Sequence, residues 1–96
     1  MDCIKLYFKD NLIGVLTYND KEKKYLFVKN KFFNNQYLHE IMGLKIDKEV
    51  YCSSSLFSFF LTFVKKYGAD DEKNDFEKLI EIANIEFDRN QFWIGA

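Results

Sequence analysis

The run Ile4-Lys5-Leu6-Tyr7-Phe8-Lys9-Asp10-Asn11-Leu12-Ile13-Gly14-Val15-Leu16-Thr17-Tyr18 decides the fold. Its first part alternates. Ile4, Leu6 and Phe8 point one way, and Cys3, Lys5, Tyr7 and Lys9 point the other. That is the period of a strand with one buried face. Asp10-Asn11 follows, and both residue types tolerate the positive φ of a tight hairpin turn. A second strand then spans Leu12 to Tyr18. With a two-residue turn, Phe8 pairs with Ile13, Leu6 with Val15 and Ile4 with Thr17, forming one apolar face. On the other face Tyr7 falls opposite Gly14, where a ring can cover a residue that has no side chain.

Working outward, Asn19 to Lys23 is a polar turn, and Lys24 to Lys29 is a third strand carrying Tyr25, Leu26, Phe27 and Val28. The first 29 residues therefore read as an antiparallel meander. Asn30 to Met42 fits either a short helix or an irregular segment, with Phe32, Phe33, Tyr37, Leu38 and Ile41 as its apolar residues and Gly43 as its end. Leu44 to Tyr51 alternates weakly, as a short strand would. Ser53-Ser54-Ser55 predicts a helix start, because serine oxygens cap free backbone N–H groups. That helix runs to Tyr67, with Lys65 and Lys66 where cations suit the helix dipole and Gly68 as its C-cap. Its apolar residues form one stripe from Leu56 through Phe60 and Val64 to Tyr67, and a second of Phe57 and Leu61. A helix apolar on two sides is buried between layers or faces a partner. After an acidic linker, Ala69 to Asn74, a second helix begins at Asp71 or Asp75 and runs to Asn84. Gln91 to Ile94 is a last short strand. Sheet and helices are segregated along the chain, which is α+β organisation: a small antiparallel sheet packed with two or more helices in a single domain, residues 1–96.

A domain of 96 residues buries only about two-thirds of the surface its unfolded chain exposes. Eleven Phe, six Tyr and one Trp, at roughly 150–250 Å² each, exceed what one such core hides. Surface aromatics mark interfaces; Phe32, Phe33, Tyr37, Phe57, Phe92 and Trp93 are the ones hardest to place in a single core, and Phe32, Phe33, Tyr37, Phe57 and Trp93 are the candidate interface residues. The 14 basic and 15 acidic residues nearly cancel, and Arg89 is the sole arginine. That balance lacks the basic field and the guanidinium forks of a nucleic-acid binder. Leu56 to Val64, the longest mostly apolar stretch, is too short to cross a bilayer. With Met1-Asp2 leading directly into strand alternation and only Cys3 and Cys52 as cysteines, the reading is a cytoplasmic protein with reduced thiols.

Catalytic groups are sparse. His39 is the only histidine and stands at no zinc-type spacing from Cys3 or Cys52. A Cys52–His39 pair, with Cys52 just before a helix start, is the one nucleophilic scheme available. Gly14, Gly43, Gly68 and Gly95 are isolated, so no phosphate-cradling loop forms. Asp70-Asp71-Glu72 and the pair Glu77 and Glu81 read as solvated helix-flank charge. The expectation is a domain without catalytic residues, metal or cofactor that acts by binding.

Three groups of residues carry a family resemblance: Ile4-Lys5-Leu6-Tyr7-Phe8 with Asn11-Leu12-Ile13-Gly14-Val15-Leu16 and Tyr25-Leu26-Phe27-Val28; Leu56-Phe57-Ser58-Phe59-Phe60; and Phe76-Glu77-Lys78-Leu79-Ile80-Glu81-Ile82 followed by Gly95-Ala96. In that order they resemble the N-terminal subdomain of HipA-type toxin kinases, over nearly the whole chain. The family's Leu-Pro-Glu segment after the Phe-rich helix is replaced here by Leu61-Thr62-Phe63-Val64-Lys65, and no contact residue is carried over. The kinase core would follow this subdomain, so the resemblance implies no kinase activity. It implies instead a HipS-like protein of a split system, which binds and neutralises a HipT-like serine/threonine kinase, with a HipB-like DNA-binding protein as the usual third member. An accessory assembly module of such a kinase, and a phage-type inhibitor of an unrelated host protein, are the alternatives.

Overall fold

A computed structural model describes residues 3–32, 49–68 and 72–95. In chain order these form β1 (Ile4–Phe8), β2 (Asn11–Asn19), β3 (Lys24–Lys29), β4 (Val50–Ser53), α1 (Ser58–Tyr67), α2 (Asp75–Ile82) and β5 (Phe92–Gly95). The five strands make one antiparallel sheet in the order β4-β3-β2-β1-β5. The fold is α+β, and its last strand pairs with its first.

The β1–β2 hairpin turns one residue earlier than the sequence predicts. Phe8 pairs with Asn11, so the turn is Lys9-Asp10, and Lys9 takes the positive φ of 54°. The ladder then shifts between Leu6 and Tyr7. Leu6 faces Gly14 while Tyr7 faces Leu12, which leaves Ile13 as the extra residue of a bulge. This slip changes which side chains enter the core, because a one-residue shift exchanges the faces of a strand. Ile4, Leu6, Ile13 and Leu16 are at most 1% exposed. Val15 and Thr17, expected inside, lie on the opposite face. The ring over Gly14 is that of Phe27, not Tyr7: a Cβ at this position would stand 2.5 Å from Phe27 Cζ.

β3 has the expected bounds, with Tyr25 and Phe27 buried and Lys24, Leu26 and Val28 exposed. The turn before it is held by Asn19, whose Oδ1 accepts from the N–H groups of Lys21 and Glu22 at 3.0 and 3.2 Å.

The serine run does not start the helix. Leu26 pairs with Cys52 and Tyr25 with Ser53, so the backbone there is committed to the sheet. Ser53 Oγ accepts from the Ser55 N–H at 3.1 Å and closes a local turn. α1 begins only at Ser58, with Phe57 at the N-cap and no side-chain capping bond. Its end is as predicted: Lys65 and Lys66 occupy the last turn, and the Gly68 N–H donates to the Val64 carbonyl at 2.8 Å. For α2 the later of the two predicted starts is used. Asn74 caps it, its Oδ1 accepting from the Glu77 N–H at 2.8 Å while its Nδ2 donates to the Glu77 carboxylate at 3.2 Å. β5 runs one residue later than predicted, Phe92–Gly95.

Both helices contribute to the core on one face of the sheet. Phe60, Phe63 and Val64 of α1 and Phe76, Leu79 and Ile82 of α2 join Ile4, Leu6, Ile13, Leu16, Tyr25, Phe27 and Ile94. Ring contacts extend this core sideways, from Phe60 to Phe27 at 5.7 Å, from Phe59 to Phe92 at 5.2 Å and from Phe63 to Phe87 at 5.9 Å. The predicted features that fall between residues 33 and 48, among them Phe33, Tyr37, His39 and the start of the fourth strand, lie outside the described residues.

Candidate binding surface

Strand alternation fixes the other face of the sheet. Val28 pairs with Val15 on one side and Val50 on the other, and Leu26 pairs with Thr17 and Cys52. The result is two adjacent cross-strand rows over β2, β3 and β4: Val15-Val28-Val50 and Thr17-Leu26-Cys52. Leu26, Val28 and Val50 are 37%, 42% and 52% exposed. A sheet with one solvated face ordinarily shows polar side chains there. Here the face that no described element covers is aliphatic at its centre.

Toward β5 the same face turns aromatic. Tyr7 and Trp93 stand opposite each other across β1 and β5, stacked with ring centroids 4.1 Å apart and planes 8° from parallel. Trp93 Nε1 donates to the Lys9 carbonyl at 2.8 Å, and the Arg89 guanidinium lies over the indole at 4.7 Å. The charges that the strands place on this face have one sign: Lys5 and Lys24 lie on it, Lys29 points to the helix side, and no strand contains Asp or Glu. At the β5 edge Glu86 stands beside Tyr7, Arg89 and Trp93. Lys5 pairs with Val15 and so extends the valine row.

The aromatic residues proposed from sequence do not form one patch. Phe32 is 85% exposed. It follows a turn in which Asn30 Oδ1 accepts from the Phe32 N–H at 3.1 Å, while Asn30 Nδ2 donates to the Leu12 carbonyl at 2.9 Å. Phe57 is half-buried and meets the Phe27 ring edge-on at 6.5 Å, on the helix-covered side. Trp93 is on the open side, half-buried against Tyr7. Phe33 and Tyr37 lie outside the described residues. The aliphatic rows were missed, although β3 carried a signal: Tyr25 and Phe27 alternate with Leu26 and Val28, so both faces of that strand are apolar.

On the helix side a shallow cleft is lined by Phe59, Phe63, Tyr67, Phe87, Phe92 and Lys66. Nearer β3, burial pushes the Tyr25 hydroxyl up to a pKa of about 12, with Asp75 and Tyr18 adding smaller contributions. Cys3 is half-buried and Cys52 exposed, both as free thiols. With α1 starting at Ser58, Cys52 does not occupy the helix-start position that the nucleophilic scheme required. Among the described residues no group of three or more His, Cys, Asp or Glu could hold a metal ion, and no helix is long and apolar enough to cross a membrane. No protein-family model matches the chain, and no curated protein or solved structure matches it.

Proposed function

We propose that this protein acts without catalysis, in the cytoplasm, by binding and neutralising a HipT-like serine/threonine kinase toxin. A HipB-like DNA-binding protein is the proposed third member of the assembly. One structural observation supports the binding reading: the rows Val15-Val28-Val50 and Thr17-Leu26-Cys52 on the sheet face opposite the helices, with Leu26, Val28 and Val50 exposed. Contiguous exposed apolar surface is costly in water and marks interaction sites. The choice of partner rests on the resemblance of the chain's three motif groups to the HipA N-terminal subdomain.

Co-expression with a HipT-like kinase from the same genome tests the proposal. The expected result is co-purification of the two proteins and relief of kinase-dependent growth arrest. Loss of both is expected for Val28→Glu, with the fold checked by circular dichroism. Absence of a complex together with unrelieved toxicity would overturn the reading. A complex that leaves kinase autophosphorylation unchanged would instead identify an assembly module.

A further inference from the structure

The open face carries chemistry that narrows what covers it. We infer that it receives one amphipathic helix of the partner, apolar along the middle and flanked by Asp or Glu. This rests on the protein-binding reading above and adds the docking face and the partner's surface chemistry.

Size is the first argument. The aliphatic block spans β2 to β4, two inter-strand spacings, or about 10 Å, which is the width of a single helix with its side chains. Charge is the second. Lys5 ends the valine row, Lys24 stands on the same face two positions before Leu26, and Arg89 lies over Trp93 at the β5 side. No strand contributes a carboxylate. The acids nearest the Lys24 end, Asp20 and Glu22, belong to the hairpin turn, and Asp20 is already bridged to Lys23 at 3.1 Å. Covering the aliphatic block draws the Lys5 ammonium out of water, and a desolvated ammonium requires a carboxylate partner. A second copy of this chain, packed face to face, would bring lysines against a surface with no acid in its strands. Electrostatic complementarity therefore selects an acid-bordered partner and disfavours self-association.

The test measures the affinity of the purified protein for a HipT-like kinase from the same genome, at low and high salt. Val28→Glu, Lys24→Glu and the double variant Lys5→Glu/Lys24→Glu are compared with wild type, and Lys65→Glu on the helix-covered side is the control. The expected results are at least tenfold weaker binding for Val28→Glu and for the double variant, a smaller loss for Lys24→Glu, falling wild-type affinity with salt, and no change for the control. A kinase complex indifferent to all the face variants would overturn the inference and leave the function standing. A complex weakened by Val28→Glu but not by charge reversal would overturn the acidic border. A homodimer of the free protein that Val28→Glu dissociates would show the face to be self-complementary and would also overturn the inference. Failure of the wild-type protein to bind the kinase at all would remove the proposed function and the inference together.

Discussion

Gly14 of β2 sits beneath the Phe27 ring and against the Val28 carbonyl of β3. A Cβ there would stand 2.5 Å from Phe27 Cζ and 2.6 Å from the Val28 carbonyl oxygen. The ring can turn aside, but the carbonyl belongs to the sheet backbone and cannot. Gly14→Ala should therefore destabilise the fold by about 1–3 kcal/mol, the usual cost of overpacking, read as a lower urea midpoint at unchanged m. Tyr25 makes a prediction about pH. Its hydroxyl is held neutral in the fold, with a pKa pushed to about 12 from 10.0. Below pH 10 both folded and unfolded chains keep the proton, and the contribution is fully present. Above it the unfolded chain ionises first, so stability falls between about pH 10 and 12. Urea titrations across that window should show this loss, and Tyr25→Phe should reduce it. A glycine covered by an aromatic ring was legible from sequence, but the ring was misassigned. The earlier turn at Lys9-Asp10 sets Tyr7 opposite Leu12, and the bulge at Ile13 then carries Gly14 to the core face beneath Phe27; a bulge leaves no mark on an otherwise regular alternation.

The two helices begin in different ways, and that difference is testable. α2 has eight residues, too few to stand alone in water, and relies on Asn74 for its first turn. Asn74→Ala should cost about 1 kcal/mol, measured by chemical denaturation. α1 has no side-chain cap, so Ser54→Ala, an exposed change in the turn that follows β4, should stay within about 0.5 kcal/mol. The reverse order of costs would restore the serine-cap reading. β3 could be bounded from sequence because lysines flank a compact apolar run. The serine run could not be resolved locally, since serine suits both a helix cap and the turn after a strand. The pairing of Cys52 and Ser53 with residues of β3 decides it, and that contact spans more than twenty-five positions of sequence.

For the whole molecule, composition pointed to a surplus of aromatics, and the structure absorbs most of the described ones. Phe59 packs on Phe92, and Phe63 and Tyr67 on Phe87. The apolar surface that remains on the sheet is built from Leu26, Val28 and Val50, with half-buried Val15 beside them, each unremarkable in its own strand and contiguous only once three strands align. The antiparallel sheet with helices was therefore legible from periodicity, whereas the candidate binding face was not. A chain ending at Asn90 should fail to fold, because it lacks the Leu6–Ile94 pairing and the Tyr7–Trp93 stack. Loss of amide dispersion in its NMR spectrum would show this.

The pairing of β5 with β1 also imposes an order in time. Ribosomes emit β1 well before β5, so the nascent protein carries an incomplete sheet, with one edge of β1 open, until β5 emerges. Assembly with any partner that needs the finished sheet must then wait until β5 has been made and has cleared the ribosome, so the rate at which the stretch between β1 and β5 is translated becomes part of how quickly this protein is competent to bind.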